Sequence, residues 1–266
     1  MTDHAIPSDS GQLPERDHED LARAHASGAD VELAVSTVIF ALRSDDRFGA
    51  QGLAPTLWLP LVRRIREPFE GRWALPGGPL RVTEGLADAA RRTLGDTTGL
   101  APRYLEQLYA FGDADRSPLV RPSAELPGAA RVVSIVYWAL VGSGEAARAT
   151  TGQNVRWFPA DELPPLAFDH NVIVEYALWR LRNKMEYSRI AHALLGETFT
   201  LAQLREVHEA VLGKPLDPAN FRRSMEASNA LVDTGERLTG TRHRPPKLYR
   251  YDESVDLADN GPLPPP

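Results

Sequence analysis

Cysteine is absent from the 266 residues, which excludes disulfides, thiolate metal ligands and cysteine nucleophiles. Any metal has to be held by oxygen or imidazole. Long apolar runs are missing as well: no stretch approaches the roughly twenty residues of a membrane-crossing helix. The opening MTDHAIPSDSGQLPERDHED has neither a basic nor an apolar leader region. The expected location is the cytoplasm, with no membrane partner. Positive charge is short overall, with a net charge of −6 that speaks superficially against nucleic acid. By segment the picture changes. Residues 1–30 carry seven acids and two arginines, and residues 252–266 carry four acids and no base, so the interior from 31 to 251 is net positive. The surplus sits in one place: between 210 and 251, eight Lys and Arg face four acids.

What is present is a globular mixture, 42% apolar and 25% charged, long enough for two ordinary domains. The polar first 30 residues and the last 15, ending GPLPPP, show no apolar period and are expected to be disordered tails. From Leu33 to about Leu163 the chain is strand-rich. LAVSTVIFAL (33–42), TLWLPLVRR (56–64), YLEQLYAFG (104–112) and RVVSIVYWALVG (131–142) are β-branched and aromatic runs between Gly, Pro and Asp clusters. One amphipathic helix, about Leu86 to Thr97, interrupts them. After DELPPLAFDH the pattern turns helical. This predicts an α+β protein with domains at 31–170 and 171–251, and with long loops at 43–55 and 113–130.

The stretch LPGGPLRVTEGLADAARRTLGDTTGL (75–100) carries the chemistry question. Gly78, Glu84, Arg92, Leu94, Gly99 and Leu100 stand at the spacing of the Nudix box, Gly-x5-Glu-x7-Arg-Glu-Ψ-x-Glu-Glu-x-Gly-Ψ with Ψ a bulky apolar residue, and the segment resembles that family. In Nudix hydrolases three glutamates on one helix face gather Mg²⁺ on a diphosphate, because Mg²⁺ takes hard oxygen ligands. Here those positions are Thr93, Asp96 and Thr97, so no catalytic residue and no metal site are expected. The scaffolding persists: Gly77 and Gly78 for a tight turn, Leu86, Ala90 and Leu94 for a buried face, Glu84 to pair with Arg92, and Gly99 to end the helix. An enzyme drawing ligands from Asp88, Asp113, Asp115 or Glu125 is the alternative.

FTLAQLREVHEAVLGKPLDPANFRRSMEASNALV reads as helix, turn, helix. Leu201, Leu204, Val207 and Val211 form an apolar stripe, Gly213 closes it, and Asp217 with Pro218 starts the next helix. Phe221 and Met225 face inward there, leaving Asn220, Arg222 and Arg223 outward near the helix N-terminus, where a recognition helix meets base edges. Arg suits guanine and Asn suits adenine. A hairpin follows, LVDTGERL to LYRYD, with Arg242, Arg244 and Lys247 at its wing for phosphate or minor-groove contact.

The two halves together resemble the Nudix-related transcriptional regulators of NrtR type, over roughly residues 31–251. The resemblance rests on YLEQLYAFGD, LAFDHNVIVEYALWRLR, FTLAQLREVHEAVLGKPLDPANFRR and RPPKLYRYD. It implies a mixed-sheet α/β/α sandwich followed by a winged helix. It also implies a homodimeric repressor of NAD-biosynthesis or related nucleotide and sugar genes on a pseudo-palindromic operator, with ADP-ribose or a similar nucleotide as effector and no required cofactor. Two departures lie where a ligand would sit. Pro79 replaces a common bulky apolar residue, and DADRSPLVRPSAELPGAAR keeps Asp115, Arg116 and Pro118 of an Asp-Arg-Asp-Pro-Arg run but is longer. The expected ligand-binding residues are Arg63, Arg64, Trp73, Gly77, Gly78 and Arg116. Tyr109, Phe111 and Trp157 are further rings that could stack on a base, and His170 is expected to pack or cap at the domain junction. The rival functions are a Nudix pyrophosphohydrolase with a dimerising C-terminal domain, and a nucleotide-binding module acting through a protein partner.

Overall fold

β1 (Val31–Arg43) is buried along most of its length because the sheet is covered on both faces, and its side chains therefore supply two cores at once. The structure is a computed structural model; it describes residues 31–43, 55–102, 104–113, 116, 131–149, 152, 154–187, 190–228, 230–240 and 245–252. The expected tails, most of both long loops, Asp115, Glu125, Arg242 and Arg244 lie outside the described residues.

Seven strands form one mixed sheet in the order β3 (Trp73–Ala74), β2 (Thr56–Arg63), β1, β6 (Arg131–Val141), β5 (Tyr104–Phe111). β4 (Gly77–Pro79) is added to β1 and β7 (Val155–Pro159) to β2. β1 and β6 run parallel and every other pair is antiparallel. Val38, Phe40 and Leu42 point with Trp138 and Leu140 to one face, which α3 (His170–Tyr187) covers through Ile173, Val174, Ala177 and Leu181. Ile39 and Ala41 point with Ala139 and Val141 to the other, where α1 (Leu86–Thr98) contributes Leu94. This is the expected sandwich. A short α2 (Ser143–Ala146) follows β6.

The second domain grows from α3 without a gap in the core. A 3-10 turn (Ile190–Leu194), α4 (Leu201–Leu212), α5 (Pro218–Ala227) and the hairpin β8 (Leu231–Arg237), β9 (Lys247–Tyr251) make a winged helix. Phe199 pairs with Tyr249 through both backbone bonds and supplies the third strand position of the wing. The caps follow the sequence. Thr200 and Gln203 form a capping box, Gly213 closes α4 at φ 66°, and the Asp217 carboxylate accepts from Asn220 N ahead of Pro218. Among the described residues no helix is long and apolar enough to cross a membrane.

Of the helix expected over SRIAHALL (188–195), the described residues form only the 3-10 turn Ile190–Leu194, and β3, β4 and β7 give no strand signal in the sequence. Two- and three-residue strands rich in Gly and Pro exist only through their tertiary partners and leave no period in the sequence. Gly77 and Gly78 do not make a tight turn. They pair with Ser36 and Val35 in β4, and a Cβ on Gly77 would stand 2.7 Å from the Val35 carbonyl oxygen. Close backbone approach, not turn geometry, demands the glycine there.

Candidate functional site

The box helix keeps its frame. Arg92 donates twice to Glu84, at 2.6 and 2.8 Å, and Glu84 also accepts from Arg81 N, so the loop before α1 is clamped to the helix. That arginine bond holds the Glu84 carboxyl well below the usual range, at about 2. Gly99 ends α1 in the left-handed region at φ 68°. The former metal face is spent differently. The buried Thr93 hydroxyl donates back to the carbonyls of Ala89 and Ala90, Thr97 donates to the Thr93 carbonyl, and only Asp96 offers a carboxylate. Among the described residues no group of three His, Asp or Glu side chains is gathered for a metal. The donor set does not fit the Mg²⁺ cluster of a Nudix box. Asp88 lies at the surface with Arg91, at 3.1 Å.

Beside this helix a cavity of 630 Å³ opens between β1, β4, the start of β6 and the start of α3. Its walls include Gly77, Gly78 and Pro79 on one side and Phe168, Asp169 and His170 on the other. Four arginines reach it, Arg64, Arg66, Arg116 and Arg131. Arg64 bonds through Nε to Pro68 O at 2.7 Å and lies 4.7 Å over the Phe168 ring, and partial burial lowers its pKa. Phe168 holds a left-handed backbone at φ 56°, a conformation costing of order 1–3 kcal/mol in a non-glycine residue. It is kept there by Phe69, whose ring meets it edge-on at 5.0 Å. His170, the first residue of α3, accepts from Leu75 N through Nδ1 at 3.0 Å, so its proton sits on Nε2. Burial pushes its pKa down to about 4 and keeps it neutral.

Arg116 is turned toward the protein. Nε and Nη2 bond the two Asp169 oxygens at 2.8 and 2.7 Å, and Nη1 donates to Phe111 O and Val132 O. Asp169 also accepts at its backbone from Ile173 N, starting α3. One ion pair thus ties the cavity wall to the helix that leads into the second domain.

On the winged helix, Asn220, Arg222 and Arg223 are exposed on α5, while Phe221 is buried against His208 with ring centroids 5.1 Å apart. Burial drops the His208 pKa to about 4. Arg222 pairs with Glu226 at 2.8 Å and Arg223 donates to Asn220. Lys247 bridges the wing to Asp233 at 2.6 Å.

Of the six residues expected at a ligand, Arg64, Gly77, Gly78 and Arg116 line the cavity. Arg63 and Trp73 do not. Arg63 donates to Gly71 O at the surface, and Trp73 packs edge-on against Phe158. Strand alternation explains both, since their neighbours Arg64 and Ala74 take the cavity side. Tyr109, Phe111 and Trp157 are not lining residues either. The ring that is there, Phe168, and its neighbour Asp169 were missed as site residues. The sequence signal is the FDH triplet (168–170) that opens the long helix.

Comparison with known proteins follows the same division. A family model for the NUDIX domain matches residues 36–177, and one for the NrtR DNA-binding winged helix domain matches residues 191–251. The chain is 31% identical over 201 residues to the ADPR responsive transcriptional repressor NtrR of Acinetobacter baylyi, covering 73% of this chain and 76% of that protein. It is 32% identical over 121 residues to an ADP-ribose pyrophosphatase of Methanocaldococcus jannaschii, covering 45% of this chain and 66% of that enzyme. Among solved structures, Shewanella oneidensis NrtR complexed with a 27mer DNA superposes with a TM-score of 0.64 at 34% identity, covering 83% of this chain and 93% of that one.

Proposed function

Because the chain belongs to the NUDIX family and, within it, to the NrtR-type regulators, we propose that it is a transcriptional repressor released from DNA by ADP-ribose or a closely related nucleotide. Two protomers read a pseudo-palindromic operator, each placing α5 in the major groove with Asn220, Arg222 and Arg223 toward base edges. Lys247, Arg242 and Arg244 serve the phosphate backbone from the wing. The effector enters the 630 Å³ cavity, its diphosphate toward Arg64 and its base toward the Phe168 ring.

One observation carries the reading. The box helix retains its Glu84–Arg92 clamp and its terminating Gly99, yet spends two of three metal positions on hydroxyls bonded to its own carbonyls. A scaffold preserved without its metal face supports binding without hydrolysis. The similarity to an ADP-ribose pyrophosphatase keeps the hydrolase as the second reading.

The test is to incubate the protein with fragmented genomic DNA at physiological salt, with and without ADP-ribose, and to follow ADP-ribose cleavage in Mg²⁺ alongside. A short palindrome enriched in the absence of ADP-ribose and lost in its presence, with the nucleotide intact, is the expected result. Sequence-independent DNA together with Mg²⁺-dependent cleavage would establish the hydrolase instead.

A further inference from the structure

The floor of the 630 Å³ cavity is polar where the strands beneath it are otherwise apolar. On β1 the face toward α3 runs Ser36, Val38, Phe40, Leu42, and on β6 it runs Ser134, Val136, Trp138, Leu140. All eight residues are buried, and the two serines stand at the cavity end of their rows. A period of two that turns to hydroxyls only where it meets a cavity makes a surface suited to something polar. Ser36 Oγ and Ser134 Oγ bond each other at 3.2 Å, and that bond takes one of their two protons. The second proton has no acceptor among the described residues. Gly77 leaves the Ser36 hydroxyl uncovered, since a Cβ there would stand 2.8 Å from it.

His170 completes the floor. Its Nδ1 is taken by Leu75 N, which leaves the proton on Nε2. Among the described residues, the side-chain nitrogen and oxygen atoms sealed inside without a partner are Thr37 Oγ1, Trp138 Nε1 and Trp157 Nε1. His170 Nε2 is not one of them, although the residue is only 7% exposed, and no described residue accepts its proton. The Nε2–H is therefore open to the cavity that His170 lines. The Phe168 ring, with its centroid 5.3 Å away, steadies the imidazole. Among the charged groups Asp169, Arg116 and Arg64 that surround it, burial keeps the imidazole neutral at physiological pH, so the floor gains no charge.

The charge of the cavity lies elsewhere. Arg66, Glu67 and Arg131 are exposed, and Arg64 and Arg116 are half-buried, so the guanidiniums stand nearer the mouth. A phosphate only accepts hydrogen bonds and keeps its charge, which places it with the arginines. A hydroxyl both donates and accepts, which is what a serine pair and an imidazole N–H offer together. From this we propose that Ser36, Ser134 and His170 form a sugar subsite, which selects a nucleoside diphosphate carrying a ribose beyond its second phosphate. The proposal deepens the effector reading and rests on it. His170 Nε2–H and the free serine proton donate to the sugar oxygens, and the serine oxygens accept from its hydroxyls. The terminal sugar, in place of the nucleotide, is then the part by which ADP-ribose is told from ADP.

Calorimetric titration of the full chain with ADP-ribose and with ADP, both in EDTA, tests the subsite through the ratio of the two affinities. Wild type should favour ADP-ribose by about tenfold or more, because a site built to bond hydroxyls rejects the analogue that lacks them. His170→Asn keeps an acceptor for Leu75 N at Oδ1 but has no donor at the Nε2 position, and should lower the ratio roughly 3- to 10-fold. Ser134→Ala, a smaller change that supplies the measurement if the histidine variant does not fold, should lower it by a similar factor. A wild-type ratio near one overturns the subsite. So do variants that weaken both nucleotides equally and leave the ratio where it was, since that is the result of a packing role alone. A preference for ADP-ribose that both variants reduce, with no effect of ADP-ribose on operator affinity, would keep the subsite and refute the effector reading. If neither nucleotide binds, both fall.

Discussion

Arg222 and Arg223 each have a partner on their own helix before DNA arrives, Glu226 and Asn220. These pairs are exposed, so exchange for a base edge is cheap and the arginines remain available. Arg222→Ala or Arg223→Ala should cost specificity at one operator position, about 1–3 kcal/mol per lost bidentate contact, whereas Lys247→Ala should weaken operator and random DNA alike. Titrations on both DNAs check this; equal losses for all three variants would remove α5 from the major groove. Two buried histidines make the fold sensitive to acid. His170 and His208 are neutral in the folded chain down to about 4 and return toward 6.5 on unfolding. The unfolded chain therefore takes up protons first as pH falls. Their contribution is complete above about 6.5 and is lost between 6.5 and 4, about 3 kcal/mol for each histidine. Glu84, held at about 2, resists acid longer, and its contribution fades only below about 4.5. The urea midpoint should fall steadily from pH 7.5 to 4.5, and a flat profile would contradict the buried neutral imidazoles.

α3 touches the 630 Å³ cavity at its N-terminus and the winged helix near its end. The proposed effector site puts an anionic ligand in competition with Asp169 for Arg116, and opening that pair would free the first turn of α3. Asp169→Asn should cost roughly 3 kcal/mol of stability as a partly buried pair is broken. It should also leave ADP-ribose bound while shrinking the ligand's effect on operator affinity toward none. Calorimetry with and without operator measures both; an undiminished effect would exclude the ion pair from the coupling. The elements themselves were largely legible in the sequence. The four long strands, α1, α4, α5 and the wing announced themselves by period and by caps such as Asp217–Pro218 and Gly213. β3, β4 and β7 did not, because short strands are selected by their neighbours. The cavity was half legible: the glycines of β4 stand at the start of the box frame, and Arg64 follows the second strand, where a diphosphate could be met. Phe168 and Asp169 depend on a left-handed turn that no residue type advertises, since Phe is an unusual occupant of φ 56°. Arg116, expected at a ligand, does line the cavity, but its bidentate bond to Asp169 is a tertiary contact that its place in the sequence does not reveal.

At the scale of the whole molecule the claim is linkage. The proposed function requires two conformations, one favouring DNA and one favouring the nucleotide, and α3 is the element in contact with both halves. A coupling of about 1–3 kcal/mol, or roughly 5- to 150-fold, is typical of ligand-controlled proteins. The continuous core from the sheet through Ile190 and Leu194 to Leu204, Val207 and Phe221 gives that coupling a mechanical path. Reciprocity makes it testable without knowing the conformations. The measurement that bears most directly on the account is the closed cycle of four affinities: operator with and without ADP-ribose, and ADP-ribose with and without operator. The account predicts that each ligand weakens the other by the same factor, within 5- to 150-fold. Independent binding, with a factor of one around the whole cycle, would contradict it.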